Sequence, residues 1–570
     1  MVINMKQHSI IALVLLGVIS LGCAKEIPDQ VGNDGKEVGN DVTLTTTVSL
    51  GGAPASKALT AAGEKTFAPG EQVAIIYTNT ADATVKAVCK PLTASDIRDE
   101  GKTAIFTVTL TDPKPSGAVR YIYPATMAAA DGSVNYAELS AQDGTLASLS
   151  AALDLALFEG TLTAYATLPA RVSMDNPLTI GEFTVSDGTS DITSSIVSLT
   201  ISVGADTYTV SRAAAAGPIY VAMLPVADAE TLTFIATDNA ATPNRFIKLV
   251  SGKALESNNM YPVRLTMYPA LDIAELTGES YTVTDGYWLY GTQTSTLSLE
   301  IADDAHVTLA GVSINADGSY TNIEHSGITC LGDATITLAG GTINTVRSFR
   351  ENYSGIQAGP AGTTLTINGT GTLNAYAYNG AAIGGSVDSD CGNITIEGGI
   401  ILADCSGACG GTGIGAGSNN SCGNITINGG YITATSGSNE AAGIGASQAG
   451  SSCGSILISG GTVIATGTGG PGIGPSIHHG SRCGSITIGT GITSVTATKG
   501  YSWEGSSSIG IANKENECGD IYFNTTKMYS RSYYYNNGWI FWPTSGSDYG
   551  GLHIEISNDD CTWTLTPSNP

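Results

Sequence analysis

Charge is scarce in this 570-residue sequence, and positive charge is the scarcest. Only 13% of the residues are Asp, Glu, Lys or Arg, and 24 Lys and Arg stand against 50 Asp and Glu. The resulting net charge of −26 disfavours nucleic acid and anionic lipid surfaces as partners, because both repel an acidic protein. No apolar run reaches the roughly 20 residues of a membrane-spanning helix. The sequence therefore argues against a nucleic-acid-binding protein and against one that crosses a membrane with helices.

Helical patterns are also nearly missing, and glycine is abundant instead. The 72 glycines are spread through alternating apolar stretches, which is typical of a turn-rich β protein. The one segment with a helical pattern covers residues 147–156. A chain of this length is too long for one ordinary domain, so we expect two or three.

The first 23 residues carry a targeting pattern. An apolar run over residues 10–21 is too short to span a membrane but fits the core of a signal peptide. It ends in Ser20-Leu21-Gly22-Cys23, which resembles the cleavage box of bacterial lipoproteins. The resemblance implies a signal peptide over residues 1–22, a lipid on Cys23 and a flexible tether over residues 23–40. The alternative is an unmodified Cys23 thiol behind an ordinary signal peptide.

Short alternating segments separated by Gly, Pro, Asp and Asn fill residues 41–270. Alternation with a period of two between turn residues is typical of half-buried antiparallel strands. We therefore predict two β-sandwiches in tandem, over residues 41–165 and 166–270.

Four segments of this region resemble motifs of the fimbrillin-like family, the pilins of Gram-negative anaerobes. They are residues 67–77 (FAPGEQVAIIY), 121–124 (YIYP), 220–225 and 260–265. The resemblance implies two transthyretin-like β-sandwiches in an outer-membrane lipoprotein, at the cell surface or in a fimbrium.

The same resemblance implies other fimbrial subunits as partners. In that family a protease removes the first strand after a basic residue, and the exposed groove accepts a strand from the next subunit. The matching basic residue here is Lys57, where the family usually has Arg. Lys57 is therefore a candidate processing site.

A repeated unit that begins with Cys-Gly dominates the C-terminal half. Its copies begin at Cys391, Cys422, Cys453, Cys483 and Cys518, at spacings of 31, 31, 30 and 35 residues. Each complete copy offers three short apolar segments, the last of them Gly-Ile-Gly or a close variant, separated by Gly, Asn and Ser corners. Three short strands in about 30 residues describe one coil of a parallel β-helix. We predict the β-helix over residues 271–530 and a C-terminal cap over residues 531–570.

The predicted fold class is therefore all-β: tandem fimbrillin-like (transthyretin-like) β-sandwiches followed by a right-handed parallel β-helix. Its five repeat cysteines could bind metal, form disulfides or stack as buried thiols. A straight column cannot supply the four converging ligands of zinc. Disulfides between coils are within geometric reach, but five is an odd number and the side chains run parallel. We predict a structural ladder of thiols and no metal site.

Catalysis has no evident setting in the repeats. Between residues 391 and 499 the acidic residues are Glu397, Asp404 and Glu440, so a paired carboxylate for hydrolysis is not apparent. We predict no catalytic residue, no enzyme activity and no cofactor. The acids at 303–304, 388 and 390, and 559–560 are typical of solvated turns, with calcium binding as the alternative.

Aromatic residues flanking the regular coils are the candidate ligand-binding residues, because flat rings stack on sugar faces. They are Tyr287, Trp288, Tyr290, Tyr501, Trp503, Tyr533, Tyr534, Trp539 and Trp542. The alternative is that these rings cover the ends of the β-helix as caps.

The repeat is also similar to cell-surface β-helix repeats of gut bacteria, some of whose relatives bind acidic plant polysaccharide with calcium. Together the resemblances imply a surface-anchored adhesin, at a pilus tip or as an accessory subunit, whose partner is carbohydrate or another surface ligand. They imply contact with the membrane only through the lipid. The alternatives are a polysaccharide-degrading lyase or hydrolase, and a purely structural stalk.

Overall fold

The computed structural model describes most of the chain from residue 41 onward. The described residues are 41–50, 66–153, 155–163, 167–293, 295–318, 324–405, 410–437, 440–448, 450–477, 480–500, 507–510, 517–528, 534–535, 538–539 and 543–568. Strands dominate these ranges, with one short α-helix at Leu146–Ala152. Short 3-10 turns lie at Asp99–Gly101, Ala125–Met127, Ala137–Ser140, Thr193–Ser195 and Ile273–Glu275. The prediction of an all-β chain that ends in a parallel β-solenoid is confirmed.

The first sandwich packs two four-stranded sheets around one apolar core. One sheet has the order Ile97–Arg98, Thr103–Leu110, Val42–Leu50 and Arg171–Met174, and the other Thr84–Val88, Ala74–Thr78, Gly117–Tyr123 and Ala156–Leu162. Residues 67–77 and 121–124 contribute to this core, since the Phe67 ring meets the rings of Phe106 and Tyr123 edge-on at 5.4 and 5.5 Å.

The second sandwich pairs a three-stranded sheet with the start of a much longer one. The first has the order Ile219–Met223, Thr179–Ser186 and Met260–Thr266. The second contains Ala141–Gln142, Asp206–Ser211, Ile196–Val203, Thr231–Asp238, Arg245–Ser251 and Tyr268–Asp272. Because Ala141–Gln142 lies here and Arg171–Met174 lies in the first sandwich, the chain crosses between the sandwiches on both sides of residue 165.

The solenoid that follows has three long parallel faces and one short edge. Face A contains Trp288–Thr292, Ala305–Ile314, Ala334–Leu338, Thr364–Gly369, Asn393–Ile396, Ile425–Ile427, Ile456–Ile458, Ile486–Ile488 and Ile521–Phe523. Face B contains Ile343–Arg347, Thr372–Tyr376, Ile400–Asp404, Tyr431–Thr435, Gly461–Gly467 and Ile492–Lys499. Face C contains Ser280–Val283, Ser298–Ile301, Ile328–Cys330, Ile356–Gln357, Ile383–Gly384, Ile414–Gly415, Ile444–Gly445 and Ile473–Gly474. The short edge, which we call the thiol edge, contains Ser421–Cys422, Ser452–Cys453, Arg482–Cys483 and Glu517–Cys518.

Inward-facing isoleucines form the solenoid core. On face A, one column pairs in register through Ile336, Ile367, Ile396, Ile427, Ile458 and Ile488, all fully buried. Alternation along each strand places these side chains inside and threonines outside. Burial of each one contributes roughly 1.5–3 kcal/mol, so the column is a large part of the solenoid's stability.

The last glycine of each Gly-Ile-Gly segment allows the coils to approach closely. Gly415, Gly445 and Gly474 have φ values of +136°, +135° and +139°, which side chains rarely adopt. A Cβ on Gly445 would also lie 2.1 Å from the carbonyl oxygen of Gly474 in the next coil. Glycine is therefore required at this corner by both conformation and space.

Side-chain oxygens hold successive coils together at another corner. The Asn393 Oδ1 accepts the backbone N–H of Asn424 at 2.9 Å, and the Asn424 Oδ1 accepts that of Ser455 at 2.8 Å. Asp303 and Asp333 act in the same way in earlier coils, accepting from Asp333 and Thr364 at 2.9 and 2.7 Å. The residue after Cys-Gly is thus a cross-coil acceptor.

The structure places the five repeat cysteines in one column along the thiol edge. The parallel register pairs Cys391 with Cys422, and then Cys422, Cys453, Cys483 and Cys518 in turn. The Sγ atoms of Cys453 and Cys483 lie 3.1 Å apart, and both residues are buried. All five are free thiols.

Neighbouring thiols and burial favour the protonated form of Cys391 and Cys483. The hydrogen bond with the Cys422 thiol, followed by burial, raises the pKa of Cys391 well above its ordinary value. The hydrogen bonds with the Cys453 and Cys518 thiols, followed by burial, raise the pKa of Cys483 in the same direction.

One continuous sheet joins the second sandwich to the solenoid. Tyr268–Asp272 pairs with Trp288–Thr292, which continues into face A. A small apolar cluster, formed by Ile247, Ala270, Tyr290, Ala310 and Ala339, covers the outer side of this junction. The junction is therefore a paired and packed sheet.

The far end of the solenoid is covered by antiparallel strands. They are Thr526–Lys527, Ser547–Tyr549, Leu552–Ile556 and Thr562–Pro567, while Tyr534–Tyr535 and Gly538–Trp539 form a separate two-stranded sheet. Thr562–Pro567 pairs with the last strand of face B and buries Trp563 completely. This arrangement closes face B with a strand of opposite direction, as expected of a cap.

Within the described ranges, no helix has the length and apolar character needed to span a bilayer.

Replacement of Gly445 by alanine is expected to destabilise the solenoid, because the left-handed backbone alone costs roughly 1–3 kcal/mol and the added Cβ meets the next coil. The measurement is the midpoint of thermal unfolding by calorimetry. Gly117→Ala is the matched control, since Gly117 has an ordinary φ and no atom within 4 Å of an added Cβ. Equal midpoints for the two variants would contradict this role of Gly445.

Alkaline pH is expected to destabilise the solenoid through its thiols. Below about pH 8.5, the ordinary pKa of a thiol, the thiols are neutral in both the folded and the unfolded protein. Their protonation then has little effect on the free energy of unfolding. Above that pH, unfolded thiols ionise while Cys391 and Cys483 stay protonated, so the free energy of unfolding falls as pH rises. The Cys391→Ser, Cys483→Ser variant should lose less stability between pH 7 and pH 10 in chemical denaturation, and an unchanged slope would exclude the effect.

Candidate ligand-binding surface

Two outward columns of polar side chains run along face A. The longer column pairs in register through His306, Thr335, Thr366, Thr395, Thr426, Leu457, Thr487 and Tyr522. The shorter column pairs through Trp288, Thr308, Thr337 and Asn368. These side chains alternate with the buried isoleucines, so the sequence pattern that builds the core also builds this outer surface.

The two columns present a nearly uncharged, regularly spaced surface. Successive coils are about 4.8 Å apart, so hydroxyl groups recur at that interval from Thr335 to Thr426. Each threonine hydroxyl can donate one hydrogen bond and accept others. The threonines of both columns are half-buried, so part of each residue is accessible to solvent. Such a surface can hydrogen-bond a long neutral ligand at many points.

A stacked aromatic pair stands at the sandwich end of these columns. The rings of Tyr268 and Trp288 lie 4.9 Å apart with an angle of 5° between their planes. Tyr268 remains 39% exposed, and the Lys248 Nζ lies 5.2 Å from its ring centre. The pair offers a flat apolar edge beside hydrogen-bonding groups, a combination that suits sugar rings.

The structure separates the three aromatic residues predicted at the solenoid entrance. Trp288 is half-buried and belongs to the stacked pair, whereas Tyr287 packs partly against the solenoid core. Tyr290 requires a correction, because it is only 8% exposed and its hydroxyl lies 3.1 Å from the Arg245 Nη1. At Tyr290 the second sandwich covers the outward side of the strand. This side chain therefore packs in the junction between the second sandwich and the solenoid.

Tyr268 is not among the binding residues that the sequence predicts, because it lies outside the regular repeats and the irregular regions that flank them. Its role depends on the pairing of Ala270 with Trp288, which brings rings that are 20 residues apart into contact. The threonine columns were visible in the repeats as the residue between two isoleucines.

A shallow depression lies where the longer column begins. It is lined by Asp304, Ala305, His306, Asp333, Ala334, Thr335, Thr364 and Thr366. The His306 backbone N–H donates to the Asp285 Oδ1 at 2.8 Å, and this bond, with the ring contact, lowers the pKa of Asp285. The depression adds carboxylate acceptors beside the first hydroxyl groups.

The acidic pairs considered for calcium are engaged within the protein. Asp390 accepts the backbone N–H of Ser421 at 2.6 Å, and Asp388 pairs with the Asn419 amide. The Asp560 carboxylate lies 3.5 Å from the Lys499 Nζ, and Lys499 is almost fully buried. Over the described residues, no group of three or more His, Cys, Asp or Glu side chains is placed to hold a metal ion.

Several predicted site residues lie outside the described residues. They are Cys23, Lys57, Tyr501, Trp503, Tyr533 and Trp542. Tyr534 and Trp539 lie opposite each other in a short antiparallel pair, for which only the backbone is described.

Face B differs chemically from face A. Its outward column contains Ile343, Ile400 and Tyr431, which are 66%, 51% and 48% exposed. At its edge the Arg347 guanidinium lies 4.3 Å from the centre of the Tyr376 ring. The solenoid therefore presents one hydroxyl-lined face and one face with exposed apolar side chains.

Comparison with models of protein families finds no match for this chain, and comparison with curated proteins finds none either. Among solved structures, it is similar to a candidate cell adhesion protein from Bacteroides fragilis, with 10% identity and a TM-score of 0.23. That similarity covers 38% of this chain and 88% of the other. It is also similar to a fimbrial assembly protein from Parabacteroides distasonis, with 11% identity and a TM-score of 0.23, covering 40% of this chain and 91% of the other.

Proposed function

We propose that this chain is a surface adhesin related to fimbrial subunits, whose solenoid binds carbohydrate along the outer side of face A. The observation that carries the proposal is the stacked Tyr268–Trp288 pair at the head of two hydroxyl-lined columns. A ligand that stacks on the pair can extend along the columns and meet a hydrogen-bonding group at each coil from His306 to Thr426, before Leu457 interrupts the longer column.

The chemistry of this surface favours a neutral polysaccharide over an acidic one. The chain carries a net charge of −26, and the depression at the head of the columns adds Asp304 and Asp333. An anionic chain would be repelled there unless a cation intervened. Hydroxyl and amide groups, by contrast, pair with sugar hydroxyls without a charge penalty.

The proposal places the chain at the outer membrane, attached through a lipid on Cys23. The first strand supports an exchange of strands with other fimbrial subunits. Val42–Leu50 pairs with Thr103–Leu110 on one side and with Arg171–Met174 on the other. Cleavage after Lys57 would free this inner strand, and its loss would leave two unpaired edges around an apolar groove. This arrangement suits a pilus tip or an accessory subunit.

We do not propose a polysaccharide-degrading activity, because two of the carboxylates near the columns already accept backbone hydrogen bonds. Asp303 and Asp333 accept backbone N–H groups of the next coil, which holds them as turn residues. A purely structural stalk would need no aromatic pair at the head of a polar face.

Replacement of Trp288 by alanine is expected to weaken binding of a neutral polysaccharide at least ~10-fold, or about 1.4 kcal/mol, because the stacked platform is lost. The measurement is a glycan-array screen of the full chain, followed by calorimetric titration with the best ligand. Tyr268→Ala should have a similar effect, since each ring positions the other.

Tyr431→Ala is the matched control, because Tyr431 is an exposed tyrosine on face B. Equal losses in Trp288→Ala and Tyr431→Ala would place the site elsewhere. Absence of binding to every glycan, with and without calcium, would favour the stalk, and release of shortened products would favour the enzyme.

A further inference from the structure

The thiol edge repeats one sulfur at one position in five consecutive coils. Parallel pairing sets the Cα atoms of Cys391, Cys422, Cys453, Cys483 and Cys518 one coil apart, or about 4.8 Å at each step. Neighbouring thiols already touch, with 3.1 Å between the Sγ atoms of Cys453 and Cys483. Each pair of adjacent coils therefore provides two sulfurs whose separation can be adjusted by rotation about Cα–Cβ bonds.

The surroundings of the sulfurs are rich in electron-pair donors. The Sγ atoms of Cys422, Cys483 and Cys518 lie 3.6, 3.7 and 3.9 Å from the carbonyl oxygens of Gly392, Gly454 and Gly484. The nearby cation, Arg482, lies 3.3 Å from the Glu517 carboxylate. A metal ion placed between the sulfurs would replace the S–H protons that these carbonyl oxygens accept, and the Arg482 guanidinium is already paired.

We propose that the thiol edge binds copper(I) or another soft d10 cation, each ion held between the sulfurs of two adjacent coils. Thiolate ligands select soft ions of this class. A four-coordinate zinc–sulfur bond is about 2.3 Å long, and bonds to a two-coordinate ion are shorter, so a linear sulfur–metal–sulfur unit spans somewhat less than about 4.6 Å. This length lies between the present 3.1 Å separation of the Cys453 and Cys483 Sγ atoms and the step of about 4.8 Å between coils, and it needs only two ligands.

Binding exchanges protons for metal and involves no change of oxidation state. Two Cys thiols and one monovalent cation give one bis-thiolate complex with a charge of −1 and two released protons. Affinity must therefore rise with pH, because protons compete with the metal for the sulfurs. The sulfurs lie close to the protein surface, since Cys453 and Cys483 are 6% exposed and Cys518 is half-buried.

The odd number of sulfurs determines how many metal ions the wild type and each variant can bind. Five thiols in a row form two separate pairs and leave one over, so the chain binds two ions. Removal of the central sulfur in Cys453→Ser leaves the pairs Cys391–Cys422 and Cys483–Cys518, so two ions still bind. Removal of the second sulfur in Cys422→Ser isolates Cys391, and only one ion binds.

The experiment titrates the full chain, reduced with a phosphine and kept anaerobic, with copper(I) buffered by a coloured bathocuproine chelator. We expect two copper ions per chain for the wild type and for Cys453→Ser, and one for Cys422→Ser. Cys89→Ser is the control for a buried thiol outside the column and should retain two. X-ray absorption should show a shell of two sulfur neighbours, at a distance shorter than the ~2.3 Å of four-coordinate zinc–sulfur bonds, and binding should tighten between pH 6 and pH 8.

Circular dichroism of each variant establishes that the solenoid is folded before its copper is counted. Equal numbers of bound copper ions in Cys422→Ser and Cys453→Ser would overturn the proposal. If ions are held between adjacent sulfurs, the number bound must depend on which cysteine of the column is removed. A nitrogen or oxygen shell, or copper lost in Cys89→Ser, would overturn it as well. The proposal would also be overturned if the column cysteines could be alkylated in denaturant only after reduction, because that result would show that they form disulfides.

Discussion

The structure depends on one constraint, which is that every coil of the solenoid repeats the backbone position of the coil before it. In-register parallel pairing places each residue beside its equivalent in the next coil, at a fixed distance. A residue type that recurs at one position of the repeat therefore forms a column along the solenoid. Isoleucine becomes a core column, glycine a tight corner and asparagine a cross-coil acceptor. The same constraint produces the thiol column and the outer threonine columns.

The constraint also explains how the solenoid is joined to the sandwiches. A strand that must continue a repeating sheet needs a paired neighbour at its first coil, and Tyr268–Asp272 provides it. The second sandwich then covers Tyr290 and its neighbours, while Trp288, one pleat away, stays at the surface. The same pairing that makes a stiff junction therefore creates the stacked pair at the head of face A.

Much of this fold could be predicted from sequence because repetition reveals register directly. The spacing of Cys391, Cys422, Cys453 and Cys483 fixes which residues stack, and alternation then fixes which of them point inward. The sandwiches were less tractable, since Arg171–Met174 returns to the first sandwich from beyond the expected boundary. This pairing joins residues that are far apart in the sequence, so no local sequence pattern predicts it.

The site was predicted only in part, for a related reason. Trp288 was identified by residue type, but its partner Tyr268 depends on a contact between two strands from different domains. Tyr290 carries the same residue type as a binding residue and is nevertheless buried by the junction. Residue type thus indicates candidates, and the pairing of strands decides between surface and core.

Register between coils is tested most directly by introduced cross-links on face A. The account predicts that Thr395→Cys and Thr426→Cys, which pair in adjacent coils about 4.8 Å apart, are joined by a bifunctional alkylating reagent of about that reach. Thr395→Cys with Leu457→Cys spans two coils, about 9.6 Å, and should not be joined. A cross-link in the second pair and none in the first would contradict the stacked arrangement on which the rest of the account depends.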